Sequence, residues 1–282
     1  MSGPIWSFGD RILDCGERTL IMGIVNCTPD SFSDGGMNMD PEIAVASAMQ
    51  MLADGADILD VGGESTRPGS DPVSVDEELR RVLPVIEWLA REVPDVPLSV
   101  DTMKAEVAHA ALANGACIVN DVTAGRDPAM FATVAEARAG IVLMHMLGEP
   151  KTMQDEPAYR DVVGQVHSYL KERTRAAVAA GVPAEAVVID PGIGFGKTLE
   201  HNLAVLRGVG SFFDIGRPVL VGPSRKRFIG ALLDAEVGER LGGTAGAVAW
   251  LAAEGCHIVR VHDVREMAQA VTVVDAIKGG SG

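Results

Sequence analysis

Asp54-Gly-Ala-Asp-Ile-Leu-Asp60 is echoed by Asn114-Gly-Ala-Cys-Ile-Val-Asn120 and by Glu254-Gly-Cys-His-Ile-Val-Arg260. Each copy has a polar helix end, a glycine turn, a short apolar run and then a polar residue. Glycine fits the left-handed position that follows a helix. An apolar run too short for a helix, punctuated in this way, reads as a strand covered on both faces. A unit repeated like this is an αβ unit that must stack on its neighbours to bury its apolar side.

Outward from these copies, similar runs lie near 20–26, 57–61, 97–101, 117–121, 141–145, 187–190, 218–222 and 257–262. Ala-rich amphipathic segments separate them. Asp40-Pro41 supplies an N-cap followed by proline at the first helical position. Ser74 and Glu77 form a capping-box pattern. Behind them Leu79, Val82, Leu83, Ile86, Leu89 and Ala90 share one helical face, with Pro84 expected to kink it. Eight strands alternating with helices predict an α/β fold, a closed (β/α)8 TIM barrel. An open doubly wound sheet is the alternative.

The length of 282 residues suits one large barrel or two smaller domains. No shift in composition marks an interior boundary. The expected organisation is a hairpin within residues 1–19 that caps the barrel floor, then a single barrel over 20–280. The Gly- and Pro-rich stretches 27–41, 62–74 and 146–158 all follow strands and read as the long loops that build a barrel's active site.

A formal net charge of −15 argues against general nucleic-acid binding, which needs clustered Lys and Arg. Cys15, Cys27, Cys117 and Cys256 form no C-x-x-C pair and read as reduced thiols of a cytoplasmic protein. The N-terminus lacks the pattern of a signal peptide, and no apolar stretch is long enough to span a membrane.

Almost every predicted strand ends in a hydrogen-bonding residue. Asn26, Asp101, Asn120, Asp121, His145 and Asp190 do so, Ser224-Arg-Lys226 follows the seventh strand, and Arg260 and His262 end the eighth. A lone Asp or Asn at a strand end is usually a turn or cap. A whole set at one barrel mouth would be costly unless paired. It points to a polar ligand with hydrogen-bonding edges and negative charge.

Five segments sharpen this: Asn26-Cys-Thr-Pro-Asp-Ser-Phe-Ser-Asp-Gly-Gly36, Gly62-Gly-Glu-Ser-Thr-Arg-Pro-Gly69, Asp190-Pro-Gly-Ile-Gly-Phe-Gly-Lys197, Gly222-Pro-Ser-Arg-Lys226 and Arg260-Val-His262. With Ser99-Val-Asp-Thr102, Val119-Asn-Asp-Val122 and Met144-His-Met146, they resemble, in order, the signature segments of dihydropteroate synthases. The resemblance implies condensation of a pterin diphosphate with p-aminobenzoate in folate biosynthesis. It also implies Mg²⁺ as cofactor, a homodimer formed through outer helices, and a target for sulfonamides.

Carried over residue by residue, the resemblance assigns the pterin to Asp101, Asn120, Asp190 and Lys226, with apolar contacts from Met144, Met146 and Phe195. A carboxylate such as Asp190 can accept from both a ring N–H and the adjacent exocyclic amine. The diphosphate falls to Asn26, Thr66, Arg67, Arg260 and His262, with Asn26 also the ligand for Mg²⁺. The p-aminobenzoate falls to Thr66, Arg67, Pro68, Phe195 and Ser224. The catalytic set is Asp101, Lys226, Asp34 and Arg67, the last two expected to pair as the first two loops close.

Cys27 stands where an aliphatic residue is common in that family, and Arg227 where some relatives carry a small one. Gly192-Ile-Gly-Phe-Gly-Lys-Thr198 looks like a phosphate loop, but Pro191 and Lys197 break both nucleotide patterns. His109, His167, His201 and His257 read as structural. A pterin-binding methyltransferase and a catalytically silent pterin binder are the competing functions; the Thr-Arg-Pro-Gly and Pro-Ser-Arg-Lys segments favour the synthase.

Overall fold

The computed structural model describes residues 3–28, 41–66 and 69–279. Two antiparallel strands, β1 (Ile5–Phe8) and β2 (Arg11–Asp14), precede eight parallel ones. These are β3 (Leu20–Asn26), β4 (Ile58–Gly62), β5 (Leu98–Asp101), β6 (Ile118–Asp121), β7 (Gly140–Met144), β8 (Val187–Asp190), β9 (Leu220–Val221) and β10 (Ile258–Val261). The helices are α1 (Pro41–Ala53), α2 (Val75–Glu92), α3 (Ala105–Ala113), α4 (Met130–Ala137), α5 (Val162–Ala179), α6 (Leu199–Arg207), α7 (Arg227–Leu233), α8 (Leu241–Ala253) and α9 (Val264–Lys278).

The parallel strands run in the order β8-β7-β6-β5-β4-β3-β10-β9. The ring closes between β8 and β9 through the Ile189–Val219 bridge, with the Ile189 N–H donating to Pro218 O at 3.0 Å. This is a closed barrel, not an open sheet. Strand β9 is shorter than the expected 218–222 because Gly222-Pro223 leaves the ladder at once, and proline has no N–H to continue it.

The repeated glycines turn as expected: Gly55, Gly115 and Gly255 have φ of 104°, 111° and 85°. Ser74 Oγ accepts from the Glu77 N–H at 3.3 Å and starts α2, which runs through Pro84 without a break in its assignment. The N-terminal hairpin plugs the barrel floor. Trp6 is fully buried, its Nε1 donates to Ala186 O at 2.9 Å, and a side chain at Gly140 would lie 3.0 Å from both Trp6 and Phe8. Cys27 is fully buried and packs as a small hydrophobe, with burial pushing its thiol up to about 12.

The register places four polar side chains in one layer. Asp60 is level with Ile118, two residues before Asn120. Asn120 is level with Val188, two before Asp190. Asp190 is level, through β9, with Ile258, two before Arg260. Arg260 is level with Ile58, two before Asp60. A slip of two residues at each of four alternate strands is the stagger of a (β/α)8 barrel, in which alternate strands fill one layer. Asp60, Asn120, Asp190 and Arg260 are therefore neighbours across the barrel, although 200 residues separate the first from the last.

Candidate active site

Side-chain hydrogen bonds bear out this layer. Arg260 Nε donates to Asp60 Oδ2 at 2.6 Å, and its Nη2 donates to Asp101 Oδ2 at 2.6 Å. Asn120 Nδ2 donates to the same Asp60 oxygen at 2.9 Å. Burial works against the Arg260 charge, but Asp60 and Asp101 outweigh it and raise its pKa, so it stays a cation. Burial pushes Asp101 up to about 7, with Arg260 pulling the other way and Asp60 adding to the rise. The other oxygens of Asp60 and Asp101, both Oδ1, are buried without a hydrogen-bond partner among the described residues.

Asp190 ends β8 and turns back to accept from the Gly192 N–H at 2.7 Å. Burial raises its pKa, and Lys226 opposes this. The chain then passes through alternating glycines. Gly192 has φ of 70°, and a side chain there would meet His145 O at 2.0 Å; one at Gly194 would press on the Lys226 stem at 2.9 Å. The glycines let this loop lie against the β7 loop and against Lys226, which is the physical content of a motif that imitates a phosphate loop.

Lys226 occupies the N-cap position of α7 without a side-chain capping bond. Its ammonium lies 4.4 Å from the centre of the Phe195 ring and donates to Ile193 O. Burial lowers its pKa to about 8, with Asp190 working against the fall. Beneath the loop, Lys197 is almost wholly buried. Its ammonium donates to Gly192 O at 2.9 Å and Phe195 O at 3.1 Å, and pairs with His145 Nδ1 at 3.0 Å. Burial drops His145 to about 3 and Lys197 to about 7. A neutral His145 thus serves as acceptor for Lys197, which braces the loop carrying Phe195.

Met144, Met146, Met153 and Val122 form an apolar cluster apart from the main core, with Met103 and Phe195 packed against it. It gives the mouth an adaptable wall suited to a flat ring.

Asn26 ends β3 at the same mouth, part-exposed. Ser224 Oγ lies 3.0 Å from His262 Nδ1 and accepts from the His262 N–H at 3.2 Å. Thr66 stands part-exposed on the loop after β4. Behind that loop Lys104 joins Glu64 to the buried Glu78, and the Val73 N–H reaches Glu64 Oε1 at 3.3 Å. Asp34, Arg67 and Pro68, as well as the Asp40 cap, lie outside the described residues.

Some strand-end residues face elsewhere. Asp121 caps its own turn, accepting from the Thr123 N–H at 2.8 Å and the Gly125 N–H at 2.6 Å. Arg225 pairs with Asp263 at the surface. His109, His167 and His201 sit on α3, α5 and α6, and the buried His257 accepts from the Val219 N–H at 3.0 Å. Sequence reasoning passed over Asp60, Lys197, Met153 and the Glu64–Lys104–Glu78 group. For Asp60 the signal was present, since Asp60, Asn120 and Arg260 occupy the same last position of the three repeated segments.

Fold and mouth define a barrel enzyme with a polar slot for a small heterocycle. The pterin binding enzyme family matches residues 22–262. A dihydropteroate synthase of Synechocystis sp. is 45% identical over 276 residues, covering 97% of this chain and 95% of the relative. A Yersinia pestis dihydropteroate synthase solved with a sulfonamide drug complex superposes with a TM-score of 0.93 at 40% identity, covering 98% of this chain and 99% of that one. The Xanthomonas albilineans enzyme in complex with 7,8-dihydropteroate gives 0.86 at 42% identity, covering 98% and 99%. The chain belongs to the pterin-binding enzyme family, among the dihydropteroate synthases.

Proposed function

We propose that this chain joins 6-hydroxymethyl-7,8-dihydropterin diphosphate to p-aminobenzoate, giving 7,8-dihydropteroate and pyrophosphate. The observation that carries the reading is the convergence of Asp190, Asn120, Asp101, Lys226 and Arg260 beside the Met144–Met146–Phe195 wall. Asp190 accepts from the ring N–H and the exocyclic amine, and Lys226 donates to the ring carbonyl and nitrogen. Charge-assisted bonds of this kind, buried, orient a pterin and select it.

At the pterin methylene the C–O bond to the diphosphate breaks and the arylamine nitrogen forms the new C–N bond, then loses a proton. Negative charge builds on the leaving group and positive charge on the methylene. Asn26, Thr66, Arg67 and His262 line the diphosphate side in this reading, and Arg260 stands between the two subsites. Asp101, with one oxygen free of partners among the described residues, stabilises the cationic methylene. Thr66, Arg67, Pro68, Phe195 and Ser224 receive the p-aminobenzoate, and sulfonamides compete there. Asp34 and Arg67 pair on closure to exclude water.

Asn26 suits a hard cation. Among the described residues no cluster of three acidic, His or Cys side chains could hold a metal, so an ion at Asn26 depends on substrate phosphates and water, the habit of Mg²⁺. Asn26 would hold such an ion, which would supply charge neutralisation for the departing pyrophosphate.

The reading includes a homodimer and a cytoplasmic setting. Leu232 and Leu233 of α7, Trp250 of α8 and Ile277 of α9 are 54%, 55%, 46% and 79% exposed, an apolar surface that a second copy would cover. The four cysteines are free thiols. No described helix is long and apolar enough to cross a membrane.

The test is pyrophosphate release, which should require the pterin diphosphate, p-aminobenzoate and Mg²⁺ together. Binding of the pterin diphosphate without release would instead identify a silent binder. A cobalamin absorbance change with methyltetrahydrofolate would identify a methyltransferase.

A further inference from the structure

Asp60 is fully buried in β4, one layer below Asp101 and beyond the residues assigned to the substrates. Its Oδ2 takes two donors, Arg260 Nε at 2.6 Å and Asn120 Nδ2 at 2.9 Å. That second contact settles which end of the Asn120 amide faces inward. An amide oxygen held 2.9 Å from a carboxylate oxygen would be repelled, whereas the amide N–H is attracted. With one Nδ2 hydrogen given to Asp60, the acceptor atom Oδ1 is turned to the opposite side of the Asn120 amide, where it can face a ligand.

We infer that Asp60 is a positioning residue that fixes the polarity of Asn120 and so makes the slot select heterocycles with an exocyclic amine. The inference rests on the reading of this slot as a pterin site. An exocyclic amine has two diverging hydrogens. Asp190 can take one together with the ring N–H, and the other needs an acceptor. Asn120 lies two strands from Asp190 in the same layer, and its Oδ1 supplies that acceptor. Were the amide free to rotate, it could equally present N–H, and the slot would accommodate a ring carrying hydrogen or oxygen at that position. A carboxylate buried where water cannot substitute for it holds one orientation and also keeps the Arg260 guanidinium in place.

The test is a cycle of two ligands and three proteins, read by calorimetry. The ligands are 6-hydroxymethylpterin and its 2-desamino analogue, which lacks only the amine. The proteins are the unmodified chain, Asp60→Asn and Asp60→Leu, each with its fold checked by circular dichroism. Asp60→Asn can still offer an amide oxygen to Asn120 and Arg260, so the preference for the amine should change less than twofold. Asp60→Leu removes the acceptor, so the preference should fall at least fivefold. A preference unchanged within twofold in Asp60→Leu overturns the inference. If the unmodified chain binds neither ligand, the pterin reading itself fails, a separate result.

Should Asp60→Leu not fold, Asp60→Val, which also has no acceptor, takes its place. The ligand-free chain gives an independent check. The Asn120 Nδ2 protons should be resolved and slow to exchange by ¹⁵N NMR; averaged, rapidly exchanging protons would contradict a fixed amide.

Discussion

The ammonium of Lys226 lies over the ring of Phe195, 4.4 Å from its centre, and donates to the carbonyl of Ile193. The loop after β8 therefore holds Lys226 by both a ring face and a backbone oxygen. Burial leaves the lysine with a pKa of about 8. Below that pH it carries the proton it donates to the pterin; above it the donor weakens. Pterin affinity should decline above pH 8, approaching tenfold per pH unit. Lys226→Arg should bind more weakly at pH 7 but show a flat profile to pH 9.5, because a guanidinium stays charged. Calorimetry across this range checks both, and a flat profile in the unmodified chain would remove Lys226 from the assigned role.

Asp190→Ala should weaken pterin binding by on the order of 1–3 kcal/mol or more, through the loss of charge-assisted bonds to two ligand donors. The p-aminobenzoate side should be touched far less. Calorimetry with the pterin alone reads the first effect. An affinity equal to that of the unmodified chain would refute the assignment.

The Lys197–His145 pair makes a prediction about stability. The folded state keeps His145 neutral down to about pH 3, whereas the unfolded chain protonates it near 6.5. The unfolded state then binds more protons between these values, so this group removes stability as pH falls through 6.5, by up to about 1.4 kcal/mol per pH unit. Asp101, whose folded pKa is raised to about 7, pulls oppositely over much of the same range. The contribution is therefore isolated as the difference between the unmodified chain and His145→Gln. Urea unfolding at pH 7, 6 and 5 should show that difference shrinking as pH falls. A constant difference would contradict a buried neutral histidine.

Trp6→Ala should destabilise the barrel by about 3–5 kcal/mol, because it empties a buried site at the floor and leaves Ala186 O unpaired. The floor is at the opposite end from the mouth. At a temperature where the variant remains folded, its KM values should match those of the unmodified chain. A stability loss under 1 kcal/mol, measured by urea unfolding, would mean that the hairpin does not hold the barrel closed.

The fold was legible because parallel strands covered on both faces leave unbroken apolar runs, and because glycine turns recur ahead of them. The mouth was legible because barrel strands that end in Asn26, Asp101, Asn120, Asp190 and Arg260 must bring those ends together. Asp60 escaped because it sits before the end of its strand, where a polar residue looks like part of the repeat. Its meaning depends on the barrel's stagger, which only the register reveals. Lys197 escaped because local spacing presents it as a broken nucleotide motif, whereas its partner His145 is 52 residues away. Asp121 looked equal to Asn120 in sequence, yet side chains alternate along a strand, and Asp121 points outward to cap its own turn.

The most direct test of the account is a crystal structure of this chain soaked with the pterin diphosphate. The heterocycle edge should lie on Asp190 and Asn120, its carbonyl at Lys226, its face against Met144 and Phe195, and the diphosphate beside Asn26 and His262. Ligand bound elsewhere, or a ring in the mouth that leaves Asp190 and Asn120 without a ligand contact, would contradict it.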